Sequence, residues 1–227
     1  MLSSKTHYLQ IALNSSLHEA RNIIAKLPVS DRILIEVGTP LIKQFGQLGI
    51  AQIRNWWQMR IAALLSPVPF PPYIVADMKC MDRGEREVNL AARGGASAAV
   101  VLGLAPLETI DTFIQTCEKH GLDAMVDMMN VEKPYQILRQ LKKLPQVIIL
   151  HRGVDEEKFS DKPLPIHMIN KIRGSFDVLI SVAGGDTPRE IQSSIFNGAN
   201  IVVLWKDFYE VSADTANIAE EFLRTIK

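Results

Sequence analysis

The chain has 227 residues, 47% hydrophobic and 22% charged, an ordinary globular composition that suits one large α/β domain or two small ones. Lys+Arg and Asp+Glu both total 25, so the formal net charge is zero and the basic footprint of a nucleic-acid binder is absent. Cys80 and Cys117 stand far apart and in no CxxC spacing, which argues against both a disulfide scaffold and a zinc site.

The start, Met1 to Thr6, is polar, and no apolar run approaches the ~20 residues that span a bilayer. A soluble cytoplasmic protein without a membrane partner is the expectation. In chain order, short apolar runs at Tyr8–Leu13, Ile33–Val37, Tyr73–Ala76, Ala98–Leu102, Ala124–Asp127, Val147–Leu150, Val178–Val182 and Ile201–Leu204 alternate with longer amphipathic stretches. Ser16–Glu19 and Thr187–Glu190 carry the S/T-x-x-E pattern of a helix start, and Gly94–Gly95, Gly121 and Gly198 stand where helices should stop. Eight strand–helix units with near-continuous apolar strands predict parallel strands covered by helices. A single-domain (β/α)8 TIM barrel fits best, since the rival open sheet would usually show a GxGxxG turn after its first strand and none is present. The crossover from Leu41 to Pro72 is longer than the others and contains Trp56–Trp57. Neighbouring helical residues point about 100° apart, so the two indoles are not expected to be fully buried in the same core.

Barrel chemistry sits at the carboxyl ends of the strands, so the informative residues are the polar ones where an apolar run finishes. Glu36 shares a face with Leu34; such a carboxylate is either salt-bridged to a neighbouring strand or a ligand. Asp77 and Lys79 are two apart and predicted on one face, with Asp82 in the loop beyond. Two flanking carboxylates should keep Lys79 protonated, which suits an electrostatic or proton-donating lysine rather than a Schiff-base nucleophile. Asp127 ends the fifth strand as either a site carboxylate or a cap. Among the five histidines only His151 closes a strand. Gly184–Gly185, before a capped helix after the seventh strand, would leave backbone N–H groups free for a phosphate. Hard oxygen ligands without cysteine or paired histidine favour Mg²⁺.

Leu9-Gln10-Ile11-Ala12-Leu13, Glu36-Val37-Gly38-Thr39-Pro40, Ala76-Asp77-Met78-Lys79 with Asp82, Asp127 with Asn130, His151, and Val182-Ala183-Gly184-Gly185 follow one another over nearly the whole chain. Together they resemble the 3-hexulose-6-phosphate synthases of the orotidine 5′-phosphate decarboxylase superfamily, to which 3-keto-L-gulonate-6-phosphate decarboxylase also belongs. D-x-K-x-x-D is the most specific element. Ile35 to Lys43 and His151-Arg152-Gly153 look similar to the synthase domain of archaeal fusions with formaldehyde-activating enzyme.

The resemblance implies a homodimer with Asp82 reaching into the partner's pocket, and Mg²⁺ held by Glu36 and Asp77. Lys79 and the metal would stabilise a 1,2-enediolate of ribulose 5-phosphate, and His151 would move protons. Addition to formaldehyde would give D-arabino-3-hexulose 6-phosphate. Asn14, Asp127, Gly184, Gly185 and Lys206 are the residues expected to bind the sugar phosphate. Two positions depart from the family pattern. Asn14 stands where the family has aspartate, and Trp205-Lys206 where it has Gly-Arg. Glycine lets backbone approach phosphate and arginine offers a bidentate fork, so the phosphate grip is expected to be rebuilt or lost. A superfamily lyase or decarboxylase with another substrate, and a non-catalytic relative, remain the alternative readings.

Overall fold

The computed structural model describes residues 2–63, 70–159, 162–185, 187–205 and 215–226. Eight parallel strands close into a barrel in the order β1 to β8, with β8 pairing back onto β1. They are β1 (Tyr8–Leu13), β2 (Ile33–Val37), β3 (Ile74–Cys80), β4 (Ala98–Leu102), β5 (Asp123–Asp127), β6 (Val147–His151), β7 (Leu179–Ala183) and β8 (Ile201–Leu204). The sequence boundaries hold to within a residue except at β3, which runs four residues further.

The helices follow from the punctuation in the sequence. Ser16 caps α1 (Leu17–Lys26), its hydroxyl accepting from the Glu19 amide at 3.2 Å. Thr187 and Glu190 form a complete capping box on α8 (Pro188–Phe196), with proline in its first turn. Gly94 ends α3 (Gly84–Arg93), and Gly121, left-handed at φ 70, ends α4 (Leu107–His120). α5 (Pro134–Gln140), α6 (Val154–Phe159) and α7 (Ile169–Arg173) are short, and α9 (Thr215–Thr225) packs on α8, α1 and β1.

The long crossover is α2 (Thr39–Ala63), broken at Gly46 by non-helical φ 56 and ψ −143. Trp57 is fully buried under it, while Trp56 is half-buried against the same core. One indole goes in and its neighbour stays at the edge, as the 100° offset requires. Burying side chains such as Trp57, Phe113 and Leu9 between strands and helices contributes roughly 1.5–3 kcal/mol each.

Inside the barrel, alternation along each strand builds a second, smaller core. Following the parallel register around the cylinder, alternate strands supply side chains to one level. Gln10, Val75, Met125 and Ser181 share a level. Glu36, Val100, Ile149 and Val203 lie above them, then Ala12, Asp77, Asp127 and Ala183. Below these levels the interior is apolar apart from the Tyr8 hydroxyl, which accepts the Ser3 amide at 2.9 Å, and the Tyr73–Asp123 hydrogen bond of 2.6 Å near the amino ends. The upper half turns polar, at the carboxyl ends.

Candidate active site

At that mouth lies a cavity of about 480 Å³, lined by residues from all eight strands and from the loops above them. Asp77 and Lys79 meet in it by a route that simple alternation does not give. Lys79 has a left-handed backbone, φ 42, and the β3–β4 register shifts between Ala76 and Cys80. This irregularity folds the ammonium back onto its neighbour's carboxylate: Lys79 Nζ donates to Asp77 Oδ2 at 2.9 Å and Oδ1 at 3.2 Å. A non-glycine residue in this region is strained, and such strain concentrates where side-chain placement matters.

From there a polar chain crosses the cavity. Lys79 Nζ also donates to Asp127 Oδ2 at 3.1 Å, and His151 Nδ1 lies 2.8 Å from the same oxygen. Asp127 Oδ1 accepts the Met129 amide at 2.9 Å, so this carboxylate caps the turn after β5 and holds the site as well. Burial would raise its pKa, but His151, Lys79 and the Met129 N–H outweigh that and bring it down to about 2. An ionised carboxylate only accepts, so the His151 proton sits on Nδ1 and Nε2 is the nitrogen left for proton transfer.

Burial pulls the pKa of Lys79 down, but Asp77, Asp127 and Glu36 together raise it, so the ammonium is held charged. For His151 burial likewise acts downward, and the charge and hydrogen bond of Asp127 win, raising it. Glu36 behaves oppositely. Burial and the nearby Asp77 charge push it up to about 7.

A buried carboxylate whose ionisation is opposed by burial and by a second carboxylate invites a cation. Among the described residues no group of three or more His, Cys, Asp or Glu side chains is arranged as a metal site. The oxygens that could hold an ion are those of Glu36 and Asp77, with Gln10 Oε1 buried and without a hydrogen-bond partner beside them. One or two carboxylates plus neutral oxygens and waters is the set Mg²⁺ takes, and zinc does not. The residues fit the expected ion.

Of the expected residues, the cavity wall brings together Asn14, Glu36, Asp77, Lys79, Asp127, His151 and Gly184. The Asn14 amide lies against Gly38, where any Cβ would overlap it. Gly184, at φ 90, is packed so closely on the Arg152 carbonyl that a Cβ there would overlap its oxygen. Gly185 is buried just behind, against Leu164. Asp82 is exposed and lines a different groove with Arg83, Arg86 and Glu108, away from Lys79. Lys206 lies outside the described residues.

Trp205 is half-buried, packs on the interior core and forms part of the cavity wall. Three participants carried weaker signals in the sequence. Gln10 is an amide between Leu9 and Ile11 in an apolar strand. Thr39, at the start of α2, donates to Asp77 Oδ2 at 2.8 Å. Arg152 donates to the Gly184 carbonyl and lies 3.5 Å from Glu190 and 3.7 Å from Glu157.

The model of the orotidine 5′-phosphate decarboxylase / HUMPS family matches residues 7–204. The chain belongs to this family. Within the family it is 36% identical over 221 residues to the bifunctional enzyme Fae/Hps of Methanothrix thermoacetophila, covering 97% of this chain and 53% of that protein. The chain thus spans about half the length of the curated relatives it matches. Among solved structures, a 3-hexulose-6-phosphate synthase superposes with a TM-score of 0.80 at 29% identity, covering 97% of this chain and all of the other. The synthase from Salmonella typhimurium gives a TM-score of 0.82 at 26% identity, covering 96% and 98%. Both are whole-length matches to the barrel of this family member. Among its described residues no helix is long and apolar enough to cross a membrane.

Proposed function

We propose that this family member is an aldolase-type lyase that interconverts D-arabino-3-hexulose 6-phosphate with ribulose 5-phosphate and formaldehyde. The observation that carries the reading is the shared anchor on Asp127: one buried carboxylate holds a charged lysine and a histidine at the same cavity wall, beside Glu36 and Asp77. The two 3-hexulose-6-phosphate synthases that the barrel matches over their whole lengths support the same substrate.

In the synthetic direction a proton leaves C1 of ribulose 5-phosphate, and Nε2 of neutral His151 accepts it. The electron pair left behind spreads over C1, C2 and the C2 oxygen as a 1,2-enediolate. The Lys79 ammonium, fixed where this charge develops, stabilises it without reorganising. C1 then bonds to the formaldehyde carbon as its C=O π bond breaks, and the resulting alkoxide takes back the proton that His151 accepted. Glu36 and Asp77 would hold Mg²⁺, which would supply Lewis-acid polarisation of the ketone oxygen. Asp127 keeps Lys79 and His151 in register throughout. A homodimer is part of this proposal, with Asp82, exposed outside its own chain's cavity, serving the site of the second subunit.

Trp205 in the cavity wall favours one variation: a related lyase whose substrate carries a different or no terminal phosphate, with the indole packing against it. Formaldehyde release from D-arabino-3-hexulose 6-phosphate, compared with release from the dephosphorylated sugar, tests both. Turnover of the phosphorylated sugar alone supports the main reading, turnover of the other sugar supports the variation, and turnover of neither rejects both.

A further inference from the structure

Gln10 is 1% exposed, deep in the barrel beneath the carboxylates, yet it lines the cavity. Its Nε2 donates to Glu36 Oε2 at 2.5 Å, while its own Oε1 is buried without a partner. An aliphatic side chain would fill this place without leaving a buried acceptor unpaired, so packing alone gives no reason for an amide here. Turning the amide over would set oxygen against the oxygen of Glu36 in the ionised form that binds a cation. The donor therefore faces Glu36, and Oε2 is committed.

Asp77 is treated in the same way. Its Oδ2 accepts from Lys79 Nζ at 2.9 Å and lies 2.8 Å from Thr39 Oγ1, whose hydroxyl shares its proton with the Asp77 carbonyl at 3.0 Å, while Oδ1 has only the longer Lys79 contact of 3.2 Å. Glu36 Oε2 and Asp77 Oδ2 thus carry the shorter donor contacts, which leaves Glu36 Oε1 and Asp77 Oδ1 as the oxygens better placed for a cation.

We propose that Gln10 and Thr39 are positioning residues that force Glu36 and Asp77 to bind through a single oxygen each, and so make the site select Mg²⁺ over Ca²⁺. Ca²⁺ takes about 6–8 oxygens and readily accepts both oxygens of one carboxylate. Mg²⁺ takes an octahedral set at about 2.0–2.1 Å, keeps several waters, and needs one oxygen from each carboxylate. Blocking the second oxygen costs Mg²⁺ nothing and removes the chelation that Ca²⁺ would use. The inference rests on the reading that Glu36 and Asp77 hold a divalent cation.

The test is Mn²⁺ binding to the full chain, followed by electron paramagnetic resonance, with Mg²⁺ and Ca²⁺ as competitors and no sugar present. Wild type is expected to bind Mn²⁺ and to release it to Mg²⁺ far more readily than to Ca²⁺. Gln10→Leu, which keeps the volume but leaves Glu36 Oε2 free, is expected to weaken Mn²⁺ by about tenfold and to shrink the Mg²⁺-over-Ca²⁺ preference by a similar factor. Thr39→Val is expected to shrink the same preference through Asp77, and it reads the proposal even where Gln10→Leu does not fold. Wild type that takes up no Mn²⁺ overturns the metal reading and this inference with it. Wild type that binds, beside a folded variant with an unchanged Mg²⁺-over-Ca²⁺ ratio, overturns this inference alone.

Discussion

Oδ2 of Asp127 accepts from Lys79 Nζ at 3.1 Å and from His151 Nδ1 at 2.8 Å, so one buried oxygen sets the spacing between the electrostatic and the proton-transferring groups. Asp127→Asn keeps the shape but removes the charge that raises both partners. His151 should then titrate at lower pH, and the acid limb of the kcat/KM profile should move down with it. In the mechanism, kcat falls by about 10²-fold or more, the range for a misplaced acid–base group. Imidazole signals in NMR spectra of both proteins check the shift.

The same contact sets a pH window for stability. The folded-state pKa of Asp127 is depressed to about 2, so its contribution is complete above the unfolded value of ~3.9 and vanishes as pH falls through 2. His151 is raised, so its contribution is complete below ~6.5 and is lost as pH climbs through the folded value. The difference in stability between wild type and Asp127→Asn, measured by urea unfolding across pH, should peak between about 4 and 6.5 at roughly 3 kcal/mol. A difference flat with pH would contradict the pairing.

Lys79→Ala should leave the barrel folded and reduce formaldehyde release by about 10²–10³-fold, as when one preorganised donor is removed from a developing anion. KM should move much less than kcat, because the ammonium is needed where charge forms. Steady-state kinetics on the purified variant separate the two.

Gly184→Ala tests the mouth. The left-handed φ of 90 and the overlap with the Arg152 carbonyl both penalise a methyl group, at about 1–3 kcal/mol for the backbone alone. A lowered Tm should accompany weaker binding of inorganic phosphate, measured by calorimetry. Trp205→Gly is the opposite case: it removes wall from the cavity and should tighten phosphate, at some cost in packing.

The fold was legible because its signals are local and repeated: apolar runs of strand length, Ser16 and Thr187 at helix starts, Gly94 and Gly121 at helix ends. Much of the candidate site was legible because Glu36, Asp77, Lys79, Asp127 and His151, which line one cavity, are polar residues toward the ends of apolar strands. What lay beyond the sequence came from long-range geometry. Alternation puts Asp77 and Lys79 on one face of a straight strand, yet β3 is irregular at Lys79, and only the register against β4 reveals it. Gln10 escaped because it lies inside a strand rather than at its end, where its amide becomes informative only once Glu36 is seen above it. The Tyr73–Asp123 bond sits at the opposite rim, away from where barrel chemistry is sought. Asp127 was open between cap and site residue because the two roles use different oxygens of one carboxylate, and it fills both.

Metal-dependent lyase chemistry at this mouth is decided by following formaldehyde released from D-arabino-3-hexulose 6-phosphate after chelation and again after Mg²⁺ is restored. Turnover should disappear with chelator and return with Mg²⁺ in the wild type, and stay near background in Lys79→Ala. Wild type that releases no formaldehyde with Mg²⁺ present, or Lys79→Ala that matches it, would rule that chemistry out.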